Sequence, residues 1–159
     1  MFVPEITVET LIEAPATEIW NVIEDIAGHV NWMDDAVAIH FVGNQQLGIG
    51  TVFACETRIG PFKLVDRMEI TEWADGRTIG ITHEGLVSGS GNFILTEMGK
   101  GQTKFTWDES LNFPFWMGGP FRNFFGKQIL GRVWAQNLKN LKTLIEEGRP
   151  TDQPSEIQL

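Results

Sequence analysis

The chain has no tyrosine, a single cysteine, and neither lysine nor arginine before Arg58. Each scarcity excludes something. With Cys55 alone there is no internal disulfide and no cysteine-based metal site. No apolar run approaches the roughly 20 residues of a membrane-spanning helix. The opening MFVPEITVET has no positive stretch ahead of an apolar one, so a reducing cytoplasm is the expected compartment. Nine Asp and Glu residues precede Arg58, whereas the remainder balances twelve acidic against twelve basic residues. The whole net charge of −9 therefore belongs to the first third. Such a balance excludes nucleic acid as a partner, because phosphate binding needs a basic stripe that displaces counterions. His29 and His40 show no metal-ligand spacing with each other or with Cys55, so both read as structural and no metal or cofactor is expected.

What is present suits an apolar interior. Eleven Phe and six Trp supply large rings without phenolic hydroxyls. At 159 residues the chain has the length of one domain, and a domain of this size buries about 68–70% of its unfolded surface. The expected domain is 1–148, with a disordered tail over 149–159, where RPTDQPSEIQL lacks any apolar period.

Period-two alternation with β-branched residues predicts a strand over Pro4–Glu13, with Ile6, Val8, Thr10 and Ile12 on one side. Pro15 stops it. Ile19, Trp20, Ile23 and Ile26 then fall at helical spacing, and a second helical turn is expected over His29–Trp32. Strands follow over Val37–Val42, Thr51–Ile59, Phe62–Trp73, Thr78–Glu84, Gly91–Glu97 and Thr103–Asn112, separated by short Gly, Asn or Asp turns. Short connections mean hairpins and an antiparallel meander. Beyond Pro120 the period becomes 3.6. Gly126, Leu130, Val133, Trp134, Asn137, Leu141 and Leu144 form one face of a long helix, and Arg132, Lys139 and Lys142 the solvated opposite one. The fold expected is α+β: a curved seven-stranded antiparallel sheet wrapped around a long C-terminal helix, with two short helices after the first strand. A strongly curved sheet is hard to fill with side chains, so an internal cavity is expected.

Alternation also selects the side chains that face this cavity. Leu64 and Met68 bring Asp66 with them, Ile81 brings His83, and Trp107 brings Glu109. Phe53, Phe93 and Leu95 join from neighbouring strands; Leu130, Trp134 and Asn137 come from the helix. A buried carboxylate without a partner is costly, so Asp66 and Glu109 should be hydrogen-bonded, shifted in pKa or touched by ligand. Together with His83 they are the candidates for acid–base catalysis. The alternative for all three is the sheet's rim, since a one-residue slip reverses a strand's faces. Phe113-Pro-Phe-Trp-Met-Gly-Gly-Pro-Phe121, continuing to Phe124 and Phe125, is too apolar for a plain loop. It is expected to plug the barrel, with Phe121 and Phe124 among the ligand contacts, or to form a lid hinged at Gly118-Gly119 or an interaction patch. Gly48-Ile-Gly50 and Gly89-Ser-Gly91 lack the Gly-Lys-Ser/Thr of a phosphate loop and read as turns.

Three segments carry a family resemblance: VETLIEAPATEIWNVIEDIAGHVNWMDD, GKGQTKFTWDESL and ILGRVWAQNLKNLKTLIEEG. An apolar strand, Ala14-Pro15-Ala16, a helix bearing Trp20, and then Trp32 form its most recognisable part. In these the chain resembles the START-like (SRPBCC) superfamily, and within it the bacterial polyketide cyclase/dehydrase and lipid-transport proteins. The resemblance runs from Ile6 to Gly148 and implies a helix-grip fold, with Trp20, Trp32 and Leu141 as packing residues. It carries no single catalytic motif, and its members bind lipids, hormones or polyketides, close rings, or regulate other proteins. The leading expectation is a monomer or homodimer that binds an apolar or aromatic small molecule, lipid- or polyketide-like, in its cavity. The alternatives are a polyketide cyclase/dehydratase using Asp66, His83 or Glu109, and a protein-interaction module using the acidic first third or the aromatic segment.

Overall fold

The computed structural model describes residues 5–117, 119 and 122–148, without the side chains of 117 and 122–125. The strands are β1 (Glu5–Ile12), β2 (Ala36–Phe41), β3 (Val52–Ile59), β4 (Phe62–Ala74), β5 (Thr78–Glu84), β6 (Ser88–Gly99) and β7 (Gln102–Asn112). Helix α1 spans Ala16–Ile23 and helix α2 spans Arg122–Glu147. Single 3-10 turns lie at Ala27–Asn31 and Phe115–Met117.

One antiparallel sheet takes the order β1-β7-β6-β5-β4-β3-β2. From β2 to β7 every neighbour in space is the neighbour in sequence, and β1 closes beside β7. This is the meander that the short turns predict, and the curved sheet grips the last helix as expected. Pro15 stands at the N-cap of α1 in extended geometry, and its carbonyl accepts from the Glu18 amide at 3.1 Å. The fixed proline φ suits that position, where no amide donor is needed. Ala16, Ile19, Trp20 and Ile23 form the buried face of α1, and the Trp20 ring meets Trp73 edge-on at 5.2 Å.

Side-chain hydrogen bonds hold helix α2 to β1 and to the segment before β2. Lys142 Nζ donates to the Leu11 carbonyl at 2.8 Å, and the Glu13 amide donates to Glu146 Oε1 at 2.8 Å, which ties the helix to β1. Asn140 Nδ2 reaches the Trp32 carbonyl at 3.1 Å and Asp34 Oδ1 at 3.0 Å. Lys142 therefore does not belong to a wholly solvated face. The buried stripe of α2 is Leu130, Trp134, Asn137, Leu138, Leu141 and Ile145. Leu144, expected on that stripe, is 46% exposed. The steps from 134 to 138, 141 and 145 centre the stripe one position away from it.

The largest departure from the sequence pattern lies at the start of β6. Gly89-Ser90-Gly91 is not a turn but the first part of a longer strand, with Gly89 opposite Leu111 and Gly91 opposite Glu109. Gly89 has a φ of 146°, and a Cβ there would collide with the Ser110 carbonyl oxygen. Only glycine lets this stretch lie so close to β7.

Candidate functional site

Between the concave sheet face and α2 lies a cavity of about 160 Å³. Phe53, Leu64, Met68, Ile81, Phe93, Trp107, Leu130 and Trp134 all contribute to its wall. Trp107 and Trp134 stack with centroids 4.8 Å apart and planes 15° apart, and Phe93 meets Trp107 edge-on at 5.0 Å. Strand alternation brings Phe93 and Trp107 inward and the buried stripe of α2 supplies Trp134, and large rings favour such stacked and edge-on contacts.

Asp66, His83 and Glu109 also line the cavity, and all three are buried. The expected alternative of a rim position does not hold for them. The sheet register explains how they meet. His83 on β5 pairs with Gly89, and Glu109 on β7 pairs with Gly91, so β6 stands between the two residues. Two strand spacings are about 9–10 Å. The inward positions of β6 at this point are both glycine, so His83 and Glu109 reach towards each other across a bare backbone. Their closest atoms, His83 Nε2 and Glu109 Oε2, are 3.2 Å apart. A Cβ on Gly91 would stand 2.8 Å from Glu109 Cδ and 3.0 Å from Oε1. Gly85 makes the same room for Asp66, whose Cγ would be 3.1 Å from an added Cβ.

Glu109 Oε1 accepts from the Trp107 indole at 2.8 Å, which fixes the carboxylate. The other oxygen faces His83 Nε2 at 3.2 Å, near enough to pair as ions but poorly aligned for a hydrogen bond. Asp66 Oδ1, His83 Nε2 and Glu109 Oε2 are thus buried polar atoms without a directed hydrogen bond from the described residues. Burial pushes the imidazole pKa of His83 down, but the neighbouring Glu109, and then Asp66, outweigh it and hold the pKa above its ordinary value. Burial raises the Asp66 carboxyl, opposed by His83 and by the backbone amides of Val87 and Leu86. The arrangement is a carboxylate–imidazole–carboxylate corner in an apolar wall. It can exchange a proton with, or hydrogen-bond to, a molecule placed against it.

Asn137 is fully buried but does not line the cavity. Its Oδ1 accepts from the Asp34 amide at 2.9 Å and its Nδ2 donates to Asp35 Oδ1 at 2.7 Å. It clasps the segment before β2 to the helix. Leu95 is likewise buried away from the cavity wall. In place of these two, the structure adds Asp35, His29 and Cys55 to the lining. Burial raises the Asp35 carboxyl against the Asn137 hydrogen bond, with Glu109 and Asp34 adding to the rise. His29 keeps its structural part as well: it hydrogen-bonds the Ile23 carbonyl at 2.7 Å, and burial lowers its pKa to about 4. Asp35 had a sequence signal, since Asp34-Asp35 ends the first family-like segment, but no strand or helix period there indicates which way it faces.

The aromatic segment after β7 divides. Phe113 is buried against Gly126, where a Cβ would approach its ring to 2.8 Å, and it lines the cavity. Phe115 and Trp116 are 66% and 58% exposed. Trp116 packs on Phe62 of the cavity wall at 6.1 Å between centroids. Gly118 and Phe121, the Phe124 side chain and the tail 149–159 lie outside the described residues.

Among the described residues no helix is long and apolar enough to cross a membrane, and no group of three or more His, Cys, Asp or Glu is placed to hold a metal ion. Residues 3–146 match the family described as polyketide cyclase/dehydrase and lipid transport. No curated protein is similar in sequence. Among solved structures, a START superfamily protein from Mycobacterium smegmatis superposes with a TM-score of 0.76 at 13% identity, covering 91% of this chain and 99% of its own. A conserved protein from Geobacillus kaustophilus gives 0.75 at 14% identity, over 91% and 97%. The Zhui aromatase/cyclase from a Streptomyces species gives 0.70 at 15% identity, over 91% and 94%. At these identities the likeness is one of fold.

Proposed function

The chain belongs to the polyketide cyclase/dehydrase and lipid transport family, and from that premise we propose that it binds an apolar or aromatic small molecule in the cavity between sheet and helix. The observation that carries this reading is the cavity's composition. Its wall is mostly aliphatic and aromatic, and it is interrupted by Asp66, His83 and Glu109, each retaining an atom without a directed hydrogen bond. A few convergent polar groups in an apolar pocket are what orient a small molecule. Native mass spectrometry of protein purified from its own host, followed by denaturing release, tests the proposal. A stoichiometric apolar compound is expected. An empty protein that also ignores a broad panel of hydrophobic dyes would turn the reading toward an interaction module, for which the exposed Phe115 and Trp116 are the starting surface.

One observation favours a second reading, an enzyme of the cyclase or dehydratase type. His83 and Glu109 converge at 3.2 Å inside the cavity, with Asp66 lining the same wall. An imidazole whose pKa is raised keeps its proton to higher pH and can deliver it to a substrate beside the Glu109 carboxylate. Turnover of a poly-β-ketone substrate that His83→Gln abolishes while ligand binding persists would support it. Binding without turnover would leave the carrier reading.

A further inference from the structure

Given the reading that the cavity holds an apolar molecule, the polar groups of its wall indicate what that molecule carries. Among the described residues no lysine or arginine lines the cavity; its charged groups are Asp35, Asp66, Glu109 and His83. With His83 protonated and both carboxylates ionised, the corner of Asp66, His83 and Glu109 bears one net negative charge. A ligand carboxylate placed there would be a third anion with a single imidazole to meet it. In so water-poor a site that repulsion is weakly screened.

Three buried atoms of the corner lack an aligned hydrogen bond, and they are of both kinds. Asp66 Oδ1 and Glu109 Oε2 accept, and His83 Nε2, when protonated, donates. A hydroxyl matches such a set, because it donates one hydrogen and accepts through its lone pairs. We infer that the cavity selects neutral apolar molecules bearing a hydroxyl group, phenolic or aliphatic, over the same molecules bearing a carboxylate. The hydroxyl hydrogen-bonds the Asp66–His83–Glu109 corner while the apolar body lies against Phe93, Trp107 and Trp134.

Calorimetric titration of the full chain at pH 7.5 tests this with matched probes: 2-naphthol, 2-naphthoate and naphthalene, and 1-decanol with decanoate. The hydroxyl member of each pair should bind at least about tenfold more tightly than its carboxylate, the scale of one hydrogen bond to a charged group. 2-Naphthol should also exceed naphthalene. In Glu109→Gln, which retains an acceptor for the Trp107 indole, the preference over carboxylate should shrink because one anionic charge is gone. Carboxylates binding as well as the hydroxyl probes, or naphthalene binding as well as 2-naphthol, would overturn the inference while leaving apolar binding intact. If none of the five probes binds, the cavity-binding reading fails and the inference with it. If Glu109→Gln loses its native circular dichroism, the wild-type ratios decide alone.

Discussion

Replacing His83 by leucine removes the imidazole that faces the two carboxylates of the polar corner while roughly conserving volume. The side chains of His83 and Glu109 are 7% and 4% exposed, so solvent cannot take over the lost partner. Glu109 would keep the Trp107 indole at 2.8 Å but lose its counter-charge, and Asp66 would lose the charge that opposes its desolvation. Removing one member of a buried pair costs about 3–5 kcal/mol, a large part of the roughly 5–15 kcal/mol that holds a domain together. For a chain of this length the loss corresponds to roughly 6–20 °C in the thermal midpoint. The pH dependence carries a definite sign. The folded-state pKa of His83 is raised above its unfolded value, so its stabilisation is complete below about pH 6.5. It is lost as pH rises through the folded value. Urea denaturation of wild type and His83→Leu at pH 6, 7.5 and 9 should therefore show a gap that is widest at pH 6 and narrows upward. Adding Glu109→Gln to His83→Leu should cost less than the sum of the single changes, because the orphaned charge is removed. A cost below about 1 kcal/mol at pH 6, or a gap indifferent to pH, would refute the claim that the imidazole compensates the buried carboxylates.

Gly91→Ala puts a Cβ 2.8 Å from Glu109 Cδ, so we expect a loss of about 1–3 kcal/mol in urea denaturation from overpacking. Gly131→Ala should instead stabilise by roughly 0.5–1 kcal/mol, since its added methyl meets nothing among the described residues and α2 gains helix propensity. Asn137→Ala strips partners from the Asp34 amide and from Asp35 Oδ1. At about 1–3 kcal/mol for each group left unpaired, it should be among the more damaging single changes on α2, read by thermal denaturation. Burial pushes the Cys55 thiol up to about 11, so iodoacetamide at pH 8 should leave the native protein unlabelled while alkylating it readily in urea. Rapid native labelling would show that the cavity wall around Cys55 opens.

Much of the architecture is written in local periodicity. Alternation of two along β4, β5 and β7 put Asp66, His83 and Glu109 on the apolar face with the rim as the alternative, and the change to a period of 3.6 after Pro120 announced α2. Those signals depend only on geometry within one element, so a single sequence carries them. Whether the three polar residues meet is a different kind of fact. It depends on the register of β5 against β6 and of β6 against β7, and on two glycines that look like a turn until the partner strands are in place. Asn137 shows the same division. Its position in the apolar stripe of α2 was legible from spacing, but its role as a clasp was decided by Asp34 and Asp35, about a hundred residues away. Asp35 reached the cavity wall without any periodic signal, because the chain before β2 is positioned by its hydrogen bonds to α2 rather than by an element of its own. Local spacing determined which faces are apolar. Only long-range pairing decided which polar side chains share a site, because their proximity is set across strands and not along them.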